Sequence, residues 1–558
     1  MRHILLALVT FCCSLFSAQT FAQPTASWLL SSNNSSNNTY FYPGNGGMKT
    51  DSSGNSYLFG QVPIGTEQFG SLSLDSSSTS SWLYIAKIDP TGNPLWIKGI
   101  TYTGGNVASK TIAVSESGYF SIGASFSDGT VTFDPTHTIA TTNYDLYFVA
   151  GYDPDGNFLW VNSPDSSGSS QINGLFVSKN NATYCTGNFI GDLILDSVNY
   201  PSIEGTSVFL YKINKTGGVE WFRQGTTSDN AVALGQKVTV YNGVVYMAGL
   251  FNDSVTFGTN TVYGDNTSQI YLAKYDTAGN VQWAKLIGGA PGGVNLYGFG
   301  TDENYNVNMG GTVDQNGAVF GSDTIPGVGD SNGGFVVSCD SSGTFRWASA
   351  VFCPNGSAVN DLATGKIDGS TFVVGTTSGP ELIVVGTAQP VDSITGSNRG
   401  FGFLLKFNST GQLQWNKIFS GSEYITAQQV GLQEYQVVVA GTYQDSLTVE
   451  SLTINAGSST QVYLCSFPLS PSTGIPELTQ QVDWKVFPVP TGNKLIVQTG
   501  ASVSSQLLVT DLEGRVLSRQ IFNGTQTSLD ITTYPAGVYI VTMQNGDGIS
   551  SSRLVIKQ

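Results

Sequence analysis

Large apolar residues alternate with small or polar residues along most of this chain, in short runs that end at Gly, Asn or Asp. The run Leu83–Ile88 is typical, because Asp89-Pro-Thr-Gly92 follows it and a second run then carries Trp96. Alternation with a period of two predicts strands, and an Asp-x-x-Gly break between two such runs predicts the turn of a β-hairpin. Helical patterning is nearly absent, so the sequence predicts an all-β fold.

This hairpin recurs about every 64 residues, and each copy has a Trp at the same position of its second strand. A fixed period of this length predicts a repeat architecture. Two further strands, joined by a second glycine-containing turn, lie between copies, so each repeat has four strands, as in a propeller blade. The recurring residues are Trp28, Trp96, Trp160, Trp221, Trp283, Trp347 and Trp415, with the turn glycines Gly92, Gly156, Gly217, Gly279, Gly343 and Gly411.

The two ends of the repeat region complement each other. Trp28 begins a repeat that has no incoming strand, whereas Gln461–Phe467 is an incoming strand that no Trp strand follows. Pairing of these two segments would close a ring and remove unpaired strand edges. The sequence therefore predicts a seven-bladed β-propeller over residues 24–467.

The Tyr-rich strand, the Asp-x-x-Gly-Asn turn and the Trp strand resemble the SBBP-type β-propeller repeat of secreted bacterial proteins, as do Val131–Asp134 and Val255–Gly258. The resemblance covers residues 24–467, is weakest in the sixth and seventh repeats, and implies a seven-bladed propeller without indicating a ligand. Because the recurring tryptophans hold equivalent positions, we expect them to pack between neighbouring blades rather than to bind sugars. Trp82 lies outside that pattern and is the better candidate for an exposed aromatic contact.

The N-terminal residues 1–23 are typical of a secretory signal peptide. Arg2 and His3 precede the apolar run Ile4–Phe16, which is too short for a membrane span of about 20 residues. No later segment is apolar enough to cross a bilayer. We therefore expect an exported protein without a membrane span.

The chain changes character after Phe467. Residues 468–483 are rich in Pro, Ser and Thr and predict a linker, and residues 484–558 alternate again, which predicts a small Ig-like β-sandwich. This domain resembles the type A C-terminal sorting domain of the type IX secretion system of Bacteroidetes, although Val489 stands where Asn is usual. The resemblance rests on Pro488, Pro490, Asp511, Gly514, Arg515, Gly537, Tyr539 and Lys557.

The resemblance implies an export route. The signal peptide takes the chain to the periplasm, and the type IX secretion machinery moves it across the outer membrane. A surface sortase then removes the sorting domain within the linker, and the product is attached to surface lipopolysaccharide or released.

The net charge of the chain and its few histidines and cysteines limit the partners and the reactions that it can have. Residues 24–483 carry 16 Lys and Arg against 35 Asp and Glu, which argues against nucleic acid and anionic membranes as partners. His137 is the one histidine after the signal, so neither a Ser-His-Asp triad nor a His-based zinc site is expected. Four of the six cysteines follow the signal peptide, lack metal-ligand spacing and are expected to be buried apolar residues: Cys185, Cys339, Cys353 and Cys465.

Two other chemistries stay open. Asp153–Asn157 resembles half of a calcium loop, but its sister turns carry fewer acids, so no cofactor is predicted and calcium is the alternative. Glycoside hydrolysis needs only two suitably spaced carboxylates, although no pair stands out. We expect a monomeric, non-catalytic binding or adhesion module for a glycan or a surface protein. The alternatives are a carbohydrate-active enzyme with loop carboxylates at the propeller channel and a structural surface protein without a ligand.

Overall fold

The computed structural model describes residues 23–34, 47–62, 65–76, 82–142, 145–166, 168–202, 205–228, 231–327, 331–386, 392–469, 484–489, 491–511, 516–545 and 550–557. The chain forms two compact units, Met1–Pro471 and Ser472–Gln558. The described residues form strands and no helix, so the predicted all-β fold is confirmed, and no membrane-spanning helix occurs among them. Residues 1–22 of the predicted signal peptide and residues 470–483 of the linker lie outside the described residues.

The described residues of the first unit form seven sets of four antiparallel strands, in which the first strand pairs with the second, the second with the third and the third with the fourth. The first strands are Met48–Thr50, the end of Pro94–Val114, Ser170–Val177, Ala233–Tyr241, Val294–Thr301, Ser357–Thr364 and Ile425–Gln433. The second strands are Ser56–Val62, the start of Phe120–Asp134, Thr183–Phe189, Val244–Phe251, Val307–Val313, Thr371–Thr377 and the start of Gln436–Val449.

The outer strands of the sets follow the same order along the chain. The third strands are Trp82–Ile88, Leu146–Tyr152, Ser207–Ile213, Gln269–Asp276, Gly333–Cys339, Gly402–Phe407 and the end of Leu452–Pro468. The fourth strands are the start of Pro94–Val114, Phe158–Asn162, Val219–Thr227, Val281–Pro291, Phe345–Phe352, Leu413–Phe419 and, for the last set, Trp28–Asn34.

A short hairpin between the second and third strands of each set pairs with the fourth strand of the preceding set or with the segment just after it. Backbone hydrogen bonds thus tie each set to its neighbour. The hairpins are Gly65–Phe69 with Leu72–Ser76, the end of Phe120–Asp134 with His137–Thr141, Asp192–Leu195 with Val198–Pro201 (paired with Asp165–Ser166), Ser254–Phe257 with Asn260–Tyr263, Ala318–Phe320 with Asp323–Ile325, Glu381–Gly386 with Asp392–Thr395, and the end of Gln436–Val449 with the start of Leu452–Pro468.

The seven first strands contact one another in cyclic order. Each touches the next along the chain, and Ile425–Gln433 of the last set touches Met48–Thr50 of the first. The two chain ends of the unit also meet, because Trp28 pairs with Ser466 and Ser31 pairs with Tyr463. An N-terminal strand therefore completes the set that the C-terminal strands begin.

Apolar side chains pack between adjacent sets. One cluster joins Tyr246 and Leu272 of one set to Met309 and Phe335 of the following set, and all four side chains are fully buried. Glycine makes room for the aromatic residues within a set, as where Gly249 lies directly across from Tyr271. A Cβ atom at Gly249 would lie 1.9 Å from the Leu234 carbonyl oxygen and 2.6 Å from the Tyr271 hydroxyl oxygen, so both the neighbouring backbone and the ring require glycine there.

Six of the seven repeat tryptophans pack on the turn glycine of the next repeat. A Cβ atom at Gly279 would lie 2.9 Å from Cδ2 of Trp221, and the Trp221 indole nitrogen donates to the Thr277 carbonyl, 3.0 Å away, in that same turn. The same close approach joins Trp28 to Gly92, Trp96 to Gly156, Trp160 to Gly217, Trp283 to Gly343 and Trp347 to Gly411. Trp415 has no such turn, because the chain ends of the unit replace it.

The Asp or Asn that opens each of these turns accepts the hydrogen bonds of the turn. Oδ1 of Asp276 accepts from the backbone N–H groups of Ala278 and Asn280, at 2.9 and 2.8 Å, and Oδ2 accepts from the Asn280 side chain at 2.8 Å. These bonds, the side-chain bond first, lower the pKa of Asp276. Asn214 and Asn408 keep the two backbone bonds through Oδ1, so the turn needs the oxygen and not the charge.

The described residues of the second unit form five strands: Trp484–Phe487, Lys494–Thr510, Val516–Asp530, Gly537–Asn545 and Ser550–Lys557. All five are hydrogen-bonded in one sheet. Trp484–Phe487 pairs with the start of the long strand Lys494–Thr510, and Gly537–Asn545 pairs with its end. Trp484, Leu507 and Val541 are among the buried residues of its core.

We predict that Gly279→Ala destabilises the first unit more than Gly243→Ala does. Both glycines have positive φ, +81° and +86°, so each substitution carries a similar backbone cost of about 1–2 kcal/mol. Only the Cβ at position 279 meets an indole ring, since position 243 has no heavy atom within 4 Å. The added overpacking should cost about 1–3 kcal/mol in denaturant unfolding. Equal losses for the two variants would contradict the proposed role of the Trp221 contact.

We also predict that the turn carboxylates make the first unit acid-sensitive. The pKa values of Asp89, Asp153, Asp276 and Asp340 are lowered in the folded protein. Their stabilising contribution is therefore present above the unfolded pKa of about 3.9 and is lost as the pH falls through the folded values. Replacing all four with Asn should reduce the loss of unfolding free energy between pH 7 and pH 3. An unchanged loss would show that other groups cause the acid sensitivity.

Candidate functional site

One extra residue interrupts the pairing of six first strands with their second strands, each time at the equivalent position. These extra residues are Lys110, Asn173, Gln236, Tyr297, Asn360 and Gln428. Such a β-bulge bends the strand and re-aims the side chains beside it. Residues directly after the bulges, among them Thr111, Lys237 and Asp361, line a cavity that the first strands surround.

Two adjoining cavities lie along the first strands. The inner cavity has a volume of about 270 Å³ and includes Lys49, Lys237 and Asp361 in its wall. The mouth cavity has a volume of about 670 Å³ and lies where the first strands lead into turns such as Asn242-Gly243. The two cavities share Thr50, Val114, Phe176, Val177 and Lys366. The mouth cavity has the size of an ordinary ligand site, about 300–1,000 Å³.

Charged side chains from different sets meet in the inner cavity. The Lys49 ammonium lies 3.2 Å from Oδ2 of Asp361, and the same oxygen accepts from the backbone N–H of Val430 at 3.2 Å. The Lys366 ammonium donates to the Thr301 carbonyl at 2.7 Å and lies 5.1 Å from the centre of the Tyr241 ring. Three lysines and one aspartate therefore set the charge of the inner wall.

Desolvation acts on two lysines of the inner wall. It lowers the pKa of Lys237 to about 8, with Asp361 opposing the shift and Lys49 adding to it. Desolvation also lowers the pKa of Lys366, against the opposing effect of Asp302 and Glu116. The folded protein thus holds two ammonium groups where water stabilises them less than in bulk solvent.

The mouth cavity has polar and aromatic walls. Glu116 and Glu303 both line it, and Glu116 forms an ion pair with Lys179 at 3.1 Å. Lys212 lies in the same wall and pairs with Glu220 at 2.7 Å. Amide and aromatic side chains complete the wall: Asn180, Asn242, Gln433, Tyr184 and Tyr241.

The structure does not favour calcium at the aspartate turns. Oδ1 of Asp153 accepts from the backbone N–H groups of Asp155 and Asn157, at 3.0 and 2.8 Å, and Oδ2 accepts from the Asn157 side chain at 2.8 Å. The donors of the turn therefore occupy the oxygens that a cation would need. In the part of the chain that the structure describes, no cluster of three or more His, Cys, Asp or Glu side chains could hold a metal ion.

The other candidate residues lie outside the two cavities. His137 is exposed and its Nδ1 lies 2.8 Å from Oδ2 of Asp134. Trp82 is half-buried rather than exposed, since its ring covers Gly99 at a distance that excludes a Cβ atom. The four predicted structural cysteines are free and buried, as expected: Cys185, Cys339, Cys353 and Cys465.

Sequence reasoning missed the charged residues of the cavities. Lys49, Lys237 and Asp361 belong to three different repeats and share no short motif. Their meeting depends on the cyclic order of the first strands, which brings Lys49 into contact with Asp361, 312 positions away. The sequence offers one indication of this cavity. Lys237 and Asp361 directly follow the bulge residue of their repeats, where other repeats have Thr111 and Gly174.

Lys557 is the most firmly held residue of the predicted sorting motif. Its buried ammonium donates to the carbonyls of Ile531, at 2.7 Å, of Thr532, at 2.8 Å, and of Tyr534. The Tyr539 hydroxyl donates to the Pro535 carbonyl at 2.7 Å, so both side chains fix the turn before Gly537–Asn545. Gly537 is the first residue of that strand, and Asp511 directly follows the strand Lys494–Thr510. Pro488 is exposed. The other motif residues, Pro490, Gly514 and Arg515, lie outside the described residues.

Three solved structures show a distant similarity to the chain. The Plexin A4 extracellular region is 7% identical to this chain, with a TM-score of 0.38. The match covers 96% of this chain and 62% of the plexin chain, so this chain spans less than two thirds of the plexin chain. PorZ, a surface component of the type IX secretion system of Porphyromonas gingivalis, is 10% identical over 93% of this chain and 100% of its own, with a TM-score of 0.13. The extracellular domain of a hybrid two component system of B. thetaiotaomicron is 10% identical over 96% of this chain and 99% of its own, with a TM-score of 0.15.

The sequence has no match among the curated proteins. Residues 485–557 match the family described as the secretion system C-terminal sorting domain. This match covers nearly all of the region in which the sequence predicts such a domain, and it includes Lys557. The protein therefore carries a type IX sorting domain and is exported to the cell surface or the extracellular space.

Proposed function

We propose that the first unit is a seven-bladed β-propeller of the SBBP type. The cyclic contacts of the seven first strands support this proposal, as does the pairing of Trp28–Ser31 with Tyr463–Ser466. In such a ring every set packs between two neighbours, which explains why the core clusters join adjacent sets. The central channel of the propeller would be the inner cavity.

The sorting domain directs the protein to the type IX secretion machinery. We propose that a surface sortase then removes this domain within residues 468–483, and that the first unit is attached to surface lipopolysaccharide or released. The first unit is the part that would act outside the cell, so the function of the protein is that of the propeller.

That function is the non-catalytic binding of a ligand at the cell surface. The mouth cavity carries this proposal, because it combines ligand-sized volume with amide, aromatic and charged walls. The residues that recur in every repeat are used for packing: each turn glycine receives a tryptophan, and each turn Asp or Asn accepts backbone hydrogen bonds. Specific binding is therefore assigned to residues that do not recur.

A carbohydrate-active enzyme is the second candidate, because Glu116 and Glu303 line the same cavity. Two carboxylates suffice for glycoside hydrolysis, one as acid and one as base or nucleophile. The third candidate is a structural surface protein without a ligand.

We predict that the purified protein binds a glycan or a surface component saturably on a glycan array or in a pull-down from cell-surface extract. Chelation of calcium should leave the binding unchanged, since turn N–H groups and the Asn157 amide occupy the Asp153 oxygens. Binding that disappears with chelator would restore the calcium alternative. Absence of any saturable ligand would contradict the binding function.

The enzyme alternative has its own test. The double variant Glu116→Gln and Glu303→Gln keeps the size and polarity of the mouth cavity but removes both carboxylates. We expect no glycan cleavage by either the parent or the variant when the products are analysed by mass spectrometry. Cleavage by the parent that the variant lacks would establish the enzyme instead.

We predict that Lys557→Met lowers surface display, whereas Lys485→Met does not. Lys557 satisfies three carbonyl groups in a buried position, and Lys485 is exposed. Loss of the ammonium should destabilise the sorting domain by about 1–3 kcal/mol and leave more protein in the periplasm. Surface protease accessibility and cell fractionation measure the outcome. Equal display of the two variants would rule out a role for the Lys557 contacts in export.

A further inference from the structure

The charged side chains in the wall of the mouth cavity are largely paired with one another. The Lys179 ammonium lies 3.1 Å from the Glu116 carboxylate, and the Lys212 ammonium lies 2.7 Å from the Glu220 carboxylate. Each of these ion pairs cancels one positive and one negative charge. The part of the wall that they form therefore has no excess charge to offer a ligand.

The other charged residues among the described residues of this wall are Glu303 and Lys366, one of each sign. Their backbones meet, because the Glu303 N–H donates to the Lys366 carbonyl at 3.0 Å. The Lys366 ammonium itself donates to the neutral Thr301 carbonyl at 2.7 Å. The wall thus balances its positive and negative charges locally. A charged ligand would lose hydration on entering without meeting an unbalanced opposite charge.

Hydrogen bonds within the protein orient two amide side chains of the same wall. The Ser178 hydroxyl donates to Oδ1 of Asn180 at 2.6 Å, so the Asn180 Nδ2 group can donate to a ligand. Nε2 of Gln433 donates to Oγ1 of Thr50 at 2.9 Å, so the Gln433 Oε1 atom can accept from a ligand. A neutral donor and a neutral acceptor are therefore held in place, and a hydroxyl group can use either of them.

Ile367 gives the mouth an apolar surface beside these amides. Its side chain is 64% exposed, and no other large apolar residue among the described residues of this wall is exposed. Protein ligands are usually anchored by side chains that fill well-packed pockets, which a single exposed Ile does not form. The C–H groups on one face of a sugar ring can pack on such a side chain while the hydroxyls reach the amides.

We infer that the mouth cavity binds an uncharged oligosaccharide, with its hydroxyls bound by Asn180 and Gln433 and one sugar ring packed on Ile367. This inference rests on the proposed binding function and names the class of its ligand. The rim at Gly243 is open, since no heavy atom lies within 4 Å of the position that a Cβ atom would take. Further sugars can therefore extend outward from the cavity.

Calorimetric titration of the full-length protein with cellotetraose, mannotetraose and galactotetraose tests this inference. Trigalacturonate and the glucosamine tetramer are the anionic and cationic comparison probes. We expect saturable binding of at least one neutral tetrasaccharide, with binding of both charged probes weaker by at least about tenfold. Because salt screens attraction between charges, the affinity for the neutral probe should change by less than about twofold between about 20 mM and about 500 mM sodium chloride.

Substitutions in the wall test the assigned contacts. Asn180→Leu and Gln433→Leu should each weaken binding of the neutral probe by roughly 3- to 10-fold, because each removes one hydrogen bond. Ile367→Ser should weaken it by a similar factor, because it removes the apolar contact. Asn316→Leu is the matched control, since it makes the same change in an exposed turn outside both cavities. It should bind as the parent does, and thermal unfolding checks that all variants fold.

Three results would overturn the inference. The first is full affinity for the neutral probe in both the Asn180→Leu and the Gln433→Leu variants. The second is tighter binding of either charged probe than of every neutral tetrasaccharide. The third is an affinity that falls by more than about tenfold at high salt, which would show that charge attraction dominates the binding.

Failure of this inference and failure of the binding function can be told apart. If no neutral tetrasaccharide binds but a protease-sensitive component of the cell-surface extract binds saturably, the binding function stands and the ligand is a protein. If neither the tetrasaccharides nor any array or extract component binds, both proposals fail.

Discussion

The close packing of six of the seven repeat tryptophans on the turn glycine of the next repeat is the constraint on which the first unit depends. The contact leaves no space for a Cβ atom and fixes the distance between successive sets, and the Trp28, Trp221 and Trp347 indole nitrogens also donate to the facing turn. Hairpins that pair with the preceding set provide a second link between neighbours. Because both contacts are made between sets, a set alone cannot bury its apolar faces, and the repeats stabilise one another.

The sequence predicts the features that recur. The alternation of Leu83–Ile88, the turn at Asp89 and the position of Trp96 each follow from local rules of strand and turn formation. The complementary ends at Trp28 and Gln461–Phe467 point to the pairing that the structure contains. The sequence does not predict the short hairpins between the second and third strands of each set. Segments such as Ser254–Phe257 have only four residues, which is too few for a clear alternating pattern.

The cavity could not be predicted in the same way. Lys49, Lys237 and Asp361 are distant in sequence, and a single charged residue in one repeat is indistinguishable from a solvated surface residue until the first strands are placed. The bulges that re-aim the side chains beside them arise from strand pairing and carry no fixed residue type, as Lys110, Asn173 and Tyr297 show. The recurring residues thus account for the packing, whereas the cavity walls contain residues that differ between repeats.

The central claim is that the first unit closes through its own chain ends, and one substitution tests it. Leu29 pairs directly with the native Cys465 across that junction, so Leu29→Cys places two thiols on neighbouring strands of one sheet face. Leu30→Cys, which pairs with Leu464, is the control. Under mild oxidation we expect peptide mapping to find a disulfide between positions 29 and 465 in the first variant and none in the second. Thiols that stay free in both folded variants would contradict the closure.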